Sequence, residues 1–467
     1  MGKKLWGGRF KKPIDKDFES FQRSIAYDHK LAKYDVYHSL IHVQALVSTG
    51  VLTKTEAKKL SAALKDILAQ IKNGLFKYDP SSEDVHTEIQ NRLEAKAKNA
   101  ALKLHSFRSR NDMVAFDERF YCWEQAAEIG ELTAAVLNGL LKLSRKYPGA
   151  YIVGYTHTQR AQVVTFEEYL LGFFSMFSED RRRIEKFLGQ LKIYLGAGAL
   201  AGSYIKKQDY DKAIKKVLAE NALSIRGLPV ATAVNSLHNV SSRDFIAEFL
   251  SALAILQTHI SRMAEDLILY STREFNYLDL PEEFCTGSSL MPHKKNPDFL
   301  ELARGYSGRI YGNLVAILTM MKGLPLTYNR DMQLDKEPLF SSVEIVKDEL
   351  RILARFIPGI KLNRAGAGKA LEDESLYATE LAEYLVSKGV AFKTGHEIVG
   401  KLIRYAEDKQ VKIKDIDDSV LRGFSRYLDK QAVKKALDPV SASAAKRSID
   451  KNRKIAFFRF GSKNARV

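Results

Sequence analysis

Between Gly287 and Pro297 the chain reads GSSLMPHKKNP. Two hydroxyls, Ser288 and Ser289, and two cations, Lys294 and Lys295, follow a glycine and lead into an Asn-Pro pair. Asn296-Pro297 predicts a helix start, with Asn as cap and Pro at the first helical position, where its missing N–H costs nothing. A capped turn is the plain reading. The free N–H groups of a helix start also favour an anion, and neighbouring lysine charge adds to that preference. A carboxylate gaining charge in a transition state would be stabilised most. Gly287 leaves the serines free to close over it.

Four further polar clusters stand at the expected entrances of helices. SSEDVHTEIQNRL presents His86, Thr87 and Glu88, and HSFRSRND supplies Arg108, Arg110 and Asn111. GYTHTQRAQ carries Thr156, His157, Thr158, Gln159 and Arg160, and YNRDMQLDKE carries Tyr328, Asn329, Arg330, Gln333 and Lys336. Any one alone reads as a cap or a solvated turn, and a lone histidine is usually structural. Four together, between long helices, make that plain reading less comfortable. None has metal-ligand spacing, a phosphate-binding glycine loop or a dinucleotide fingerprint. The chemistry is therefore expected from side chains and helix ends, without metal or organic cofactor.

The elements that must position these clusters are long helices, expected over 110–146, 165–193, 242–275, 298–322 and 337–356. In the third, Phe249, Leu253, Leu256, Ile260, Met263, Leu267 and Tyr270 alternate steps of four and three, the seam of a helix packed nearly parallel to others. Ile246, Leu250 and Ala254 widen the stripe, so more than one face needs covering. Helices of this length and breadth usually meet other chains, which predicts a mostly α protein with an oligomeric central bundle. The flanks read as shorter helices, one opened by a capping box from Thr53 to Glu56. The expected domains are 1–107, a central long-helix domain 108–357, and 358–467.

Composition narrows the class. With 467 residues, 45% hydrophobic and 28% charged, the chain has the balance of a soluble globular protein and is too long for one ordinary domain. No apolar run is long enough to span a bilayer, and MGKKLWGGRFKKPIDKD lacks the pattern of a secretory signal. Two cysteines without a CxxC pair support neither a disulfide framework nor a thiolate metal site. A cytoplasmic location is expected. The net charge of +17 is spread along the chain rather than gathered in a nucleic-acid module, so it reads as a basic surface that draws in small anions.

GSSLMPHKKNP resembles the signature of the fumarase/aspartase superfamily, whose members eliminate across a succinyl group and release fumarate. LWGGRF, EDVHT, HSFRSRND, YTHTQRAQ, VSSRDFIAEFL, KGLPLTYNRDMQ and DKEPLF together resemble its argininosuccinate lyase family, in order and along nearly the whole chain. His293, Met113, Phe116 and Leu334 depart from the residues common there. The resemblance implies an all-α homotetramer with a central twenty-helix bundle and sites shared between subunits. It implies cofactor-free β-elimination of argininosuccinate to arginine and fumarate. Ser288 would be the general base and His157 would assist proton delivery to the leaving nitrogen. Glu301 would orient His157, and Lys294 with Asn296 would meet the carboxylate that gains charge. Ser24, Asp28, Arg110, Asn111, Thr156, Tyr328, Gln333 and Lys336 would contact substrate, with His86 and Thr87 holding a succinyl carboxylate. Adenylosuccinate lyase chemistry, or a non-catalytic structural role on the same fold, are the alternatives.

Overall fold

The computed structural model describes residues 11–220 and 227–445. LWGGRF and the basic stretch KNRKIAFFRFGSKNARV lie outside the described residues. Among the described residues the protein is all-α apart from four two-stranded pairings. Its longest helices are Arg110–Lys146, Phe166–Gln190, Asp244–Ser271 and Lys336–Gly359. Every residue of the expected seam in Asp244–Ser271 is buried, from Phe249 to Tyr270, and so are Ile246, Leu250 and Ala254. At about 1.5 Å per residue this helix is roughly 40 Å long. The capping box forms as expected: Glu56 N–H donates to Thr53 Oγ1 at 3.2 Å and Thr53 N–H to Glu56 Oε2 at 2.9 Å.

Two expectations change. The stretch read as one helix over 298–322 is two, Asp298–Gly305 and Ser307–Met321. They part at Gly305-Tyr306, where glycine is a weak helix former. YTHTQRAQ does not simply lead into a helix. It forms an antiparallel hairpin, Tyr151–Thr156 against Gln159–Thr165, before the Phe166–Gln190 helix. Its two-residue turn is His157-Thr158, with φ of 53° and 58°. Such turns need positive φ at both positions, normally met by Asn and Gly. The missing Asn-Gly signal hid the hairpin in the sequence, and the left-handed backbone costs roughly 1–2 kcal/mol at each residue.

The chain divides into two compact units, each drawn from three segments. The first comprises 1–131, 180–257 and 306–348; the second comprises 132–179, 258–305 and 349–467. In the first, the Ala32–Ser48 helix packs with its neighbours Lys54–Lys72 and Val85–Ala97. A parallel pair, Ile193–Leu195 with Val230–Thr232, leads to the glycine-rich turn at 196–202. That turn is tied to the start of the Arg110–Lys146 helix. Gly198 N–H donates to Asp112 Oδ2 at 3.0 Å, and Asn111 Nδ2 donates to the Ala199 carbonyl at 3.2 Å. The second unit holds the hairpin, the 288–294 loop and a cluster of short C-terminal helices packed around Leu381, Leu385, Val399 and Leu402.

Gly198 has φ of +58°, and an added Cβ would lie 2.3 Å from the Gly202 carbonyl oxygen. Gly198→Ala should therefore destabilise the protein by at least about 2 kcal/mol. Thermal denaturation checks this: a melting temperature equal to wild type would contradict the placement of this turn.

Candidate active site

In the second unit, Thr286–Gly287 pairs with Lys295–Asn296 and closes the 288–294 loop into a hairpin-like arch. Asn296 is thus not the helix cap. It is extended in that pairing, and Pro297 takes the cap position, its carbonyl accepting from Leu300 and Glu301 N–H at 2.9 and 3.1 Å. Asp298 fixes the arch by accepting from Thr286 N–H at 3.1 Å. Ser288 Oγ accepts from the N–H groups of Leu290 and Met291 at 3.2 and 3.0 Å. Donors aimed at an oxygen favour its charged form, so this turn stabilises negative charge on Oγ. Lys294, His293 and Lys295 are exposed on the same arch.

His157 and Thr156 lie exposed at the tip of the hairpin. Its body is fixed within the second unit by Tyr155 Oη and Tyr277 Oη at 2.7 Å and by Arg160 with Asp373 at 3.1 Å. Glu301 is exposed one turn into Asp298–Gly305. Among the described residues, no hydrogen bond or ion pair within the chain joins His157, Ser288 and Glu301.

The first unit gathers a different set, mostly buried. Ser24 donates to Asp28 Oδ2 at 2.6 Å, and Asp28 Oδ1 accepts from Val85 N–H at 3.1 Å. Burial and the nearby Asp84 charge push Asp28 up to about 6, against the Ser24 hydrogen bond. Asp84 caps Val85–Ala97 by accepting from Thr87 N–H and Oγ1, both at 2.7 Å, and pairs with Arg110 at 3.0 Å. Arg110 also donates to Thr87 Oγ1 at 2.7 Å. Gln333 Nε2 donates to the Gln22 carbonyl and to Tyr27 Oη at 3.0 and 3.1 Å, and Arg330 reaches the same carbonyl at 3.1 Å. Ser24 and Asp28 are thus tied to the first residue of Val85–Ala97, and Thr87 and Arg110 share Asp84 at its cap; His86 stands on the same first turn, and Gln333 is tied to Gln22 and Tyr27. Tyr328 and Asn111 are half-buried on segments leading to this set.

Lys336 has a fuller set of partners than the sequence suggested. It pairs with Glu118 Oε1 at 2.7 Å and Asp335 Oδ1 at 2.9 Å, while Arg243 pairs with Glu118 Oε2 at 2.9 Å and Asp335 Oδ2 at 2.6 Å. Arg243, Glu118 and Asp335 are fully buried and Lys336 nearly so. Burial disfavours each charge, but the alternating signs prevail at the ends: Lys336 is held well above the ordinary lysine range and Asp335 below the ordinary carboxylate range. Glu118 shifts up, because burial and Asp335 outweigh its cations. The sequence reading gave no role to Glu118, Arg243 or Asp335. Their signal was charge inside apolar runs, as in MVAFDERFYC. Met113 and Phe116 are both buried, Phe116 edge-on to His38. Leu334 is exposed.

Asp35, His86 and Asp117 bring ligating atoms within 4.8 Å of one another, all buried. His86 Nδ1 lies 3.0 Å from Asp35 Oδ2, and a carboxylate can only accept, so that nitrogen carries the hydrogen. A nitrogen so engaged is not a free metal ligand.

A family model described as a lyase matches residues 8–312. Among solved structures, a class II fumarase from Schistosoma mansoni has a TM-score of 0.78 at 15% identity, covering 92% of this chain and 95% of that one. An EDDS lyase variant with bound fumarate has a TM-score of 0.73 at 23% identity, covering 92% and 86%. The fold is thus that of the fumarase/aspartase superfamily. A second model, described as argininosuccinate lyase C-terminal, matches residues 375–444. The chain is 42% identical over 436 residues to the argininosuccinate lyase of Caldanaerobacter subterraneus subsp. tengcongensis, covering 93% of this chain and 96% of that protein. It is 42% identical over 423 residues to that of Geobacter metallireducens, covering 90% of each. The chain belongs to the argininosuccinate lyase family.

Arg243→Met would leave Glu118 and Asp335 sharing Lys336 alone in a dry interior. Breaking such a network from one side costs about 3–5 kcal/mol. Urea denaturation should show a loss of that order, and a variant within about 0.5 kcal/mol of wild type would show these charges to be hydrated.

Proposed function

We propose that this protein catalyses the reversible β-elimination of argininosuccinate to arginine and fumarate, in arginine biosynthesis, without metal or organic cofactor. The family membership supports the substrate. The observation that carries the chemistry is Ser288 Oγ facing two backbone N–H groups on an arch of exposed lysine charge. Ser288 Oγ takes the proton from the carbon next to the succinyl carboxylate, and the electron pair left behind spreads into that carboxylate. Lys294 and Asn296 stabilise the charge as it develops. The C–N bond then breaks, the pair forms the double bond of fumarate, and the leaving guanidino nitrogen gains a proton with help from His157, which Glu301 orients. Thr156, Ser24, Asp28, Arg110, Asn111, Tyr328, Gln333 and Lys336 contact the substrate, and His86 with Thr87 holds a succinyl carboxylate.

This reading includes a cytoplasmic homotetramer. No described helix is long and apolar enough to cross a membrane. Leu302 in the second unit is 60% exposed, and Val315 and Leu318 on Ser307–Met321 in the first are 59% and 52% exposed, apolar side chains suited to cover by other copies of the chain. His157, Ser288 and Glu301 are unjoined within one chain, which suits a site assembled from several subunits. The division into 1–107, 108–357 and 358–467 is retained as the sequence-level outline of each subunit.

Purified protein given argininosuccinate should release fumarate, followed by its ultraviolet absorbance, and adenylosuccinate should not be turned over. No fumarate from argininosuccinate would sink the reading. Ser288→Ala should lose at least about a thousandfold in kcat with KM within tenfold, since it removes a transition-state role. Near-normal turnover would remove Ser288 from the mechanism. The shared site has its own check. Inactive His157→Asn and Ser288→Ala proteins, dissociated and reassembled in equal amounts, should recover about a quarter of wild-type activity, the fraction expected for random assembly of symmetric subunits. Demonstrated exchange with no recovery would put both residues in one chain's site.

A further inference from the structure

His86 is gripped on one side only. It stands at the second residue of Val85–Ala97 and is 8% exposed. Its Nδ1 donates to Asp35 Oδ2 at 3.0 Å, whereas Nε2 has no partner in the chain among the described residues. Asp35 comes from a different helix, Ala32–Ser48, and is itself steadied by Ser39 Oγ, which donates to Oδ1 at 3.3 Å. Behind the pair lies Asp117, with Oδ2 at 4.0 Å from Nδ1. It is fully buried, and neither of its oxygens is hydrogen-bonded. The open nitrogen belongs to a residue surrounded by Thr87, Arg110 and Asp28, where the substrate contacts of this unit gather.

We propose that Asp35 is a positioning residue for the elimination: by taking the Nδ1–H of His86 it fixes the imidazole and presents Nε2–H to a carboxylate of the succinyl substrate. This deepens the functional reading above and rests on it. Asp35 acts through His86 and does not touch the substrate. Its charge has a second effect. Burial works against an imidazolium, but the charge and hydrogen bond of Asp35, with Asp84 beyond, prevail over burial and over Arg110 and raise His86 above its ordinary value. The other groups facing the ring leave that balance in place. Asp117 is pushed well up, by burial first and then by Asp35 and Glu118. His38 and His105 are pushed down, by burial first and then by Arg108, and stay uncharged near neutrality. Asp28, at about 6, is ionised above neutrality and adds to the support for the charged ring.

The sign of the pH effect follows. A group with a raised value is charged below that value and loses its charge as pH climbs through it. The affinity for the succinyl carboxylate is therefore full on the acid side and falls on the alkaline side. Asp35→Asn keeps an acceptor for Nδ1–H and removes the charge, so the fall moves to lower pH. Asp35→Glu keeps the charge and displaces it.

The test is KM and kcat for argininosuccinate from about pH 5.5 to 9, with calorimetric binding of succinate over the same range, for wild type, Asp35→Asn, Asp35→Glu and His86→Gln. In Asp35→Asn, the alkaline rise in KM should begin at lower pH. A displacement of one unit gives a tenfold higher KM on the alkaline side, with kcat changed much less. Asp35→Glu should keep the wild-type position of that rise, and His86→Gln should abolish it. Asp35→Asn/His86→Gln should be no worse than His86→Gln alone, because Asp35 acts only through the ring. Superimposable wild-type and Asp35→Asn profiles, or additive effects in the double variant, would overturn the proposal while wild-type turnover left the functional reading standing. If Asp35→Asn does not fold, Asp35→Glu and His86→Gln decide it, and a wild-type alkaline limb that survives in His86→Gln overturns it. If wild type does not turn over argininosuccinate, the functional reading fails by itself and the pH dependence of succinate binding still decides the role of Asp35.

Discussion

Four charges in the dry interior of the first unit set the terms for the polar groups gathered there. Glu118 lies on Arg110–Lys146, Arg243 immediately precedes Asp244–Ser271, and Asp335 and Lys336 join the Arg330–Asp335 turn to Lys336–Gly359. Each carboxylate meets both cations, so opposite signs alternate around the network. Isolated, any of these groups would carry a desolvation cost of several kcal/mol; in alternation each supplies the field the next one needs. The geometry follows from that cost, because the segments bearing them cannot separate without stranding a charge. The Arg330–Asp335 turn is consequently anchored at one end by Asp335, and Gln333 and Arg330 reach Gln22 and Tyr27 from its other end.

The two units solve the positioning problem differently. In the first, groups that would meet the substrate are buried and share partners, so their orientation is set by hydrogen bonds already made: Asp84 to Thr87, Arg110 to Thr87, Asp35 to His86. In the second, the groups are exposed on short β structures at helix ends. The hairpin holding His157 is stiffened by Tyr155 with Tyr277 and Arg160 with Asp373, and its tip retains the left-handed backbone of His157 and Thr158. The arch holding Ser288 and Lys294 is closed by two paired residues on each side. Rigid mounts of this kind hold exposed side chains in a fixed orientation.

Helical periodicity made most of the fold legible. The buried stripe of Asp244–Ser271 and the bounds of Arg110–Lys146 could be read directly, because spacing and the lack of breakers report burial and length. The hairpin was not legible, since its turn, His157-Thr158, has neither Asn nor Gly. The break at Gly305-Tyr306 was missed because one glycine within an apolar pattern does not predict an interruption. Asn296 was misplaced because capping preference is local, while Lys295–Asn296 is drawn into an extended pairing by Thr286–Gly287, eight to ten residues earlier. At the site, residue types identified the polar clusters. What they could not identify was the charge behind them: Asp35, Glu118 and Asp335 lie in sequence runs that look like ordinary helix faces.

Hydrogen exchange on the intact wild-type protein tests most directly whether the four-charge network holds these segments as one unit. Amides near Glu118, in the first turns of Asp244–Ser271 and in the first turns of Lys336–Gly359 should be among the slowest, and should be released together under mild denaturant. Exchange of 330–343 through an independent, low-energy opening, while the other two segments stay protected, would contradict the account.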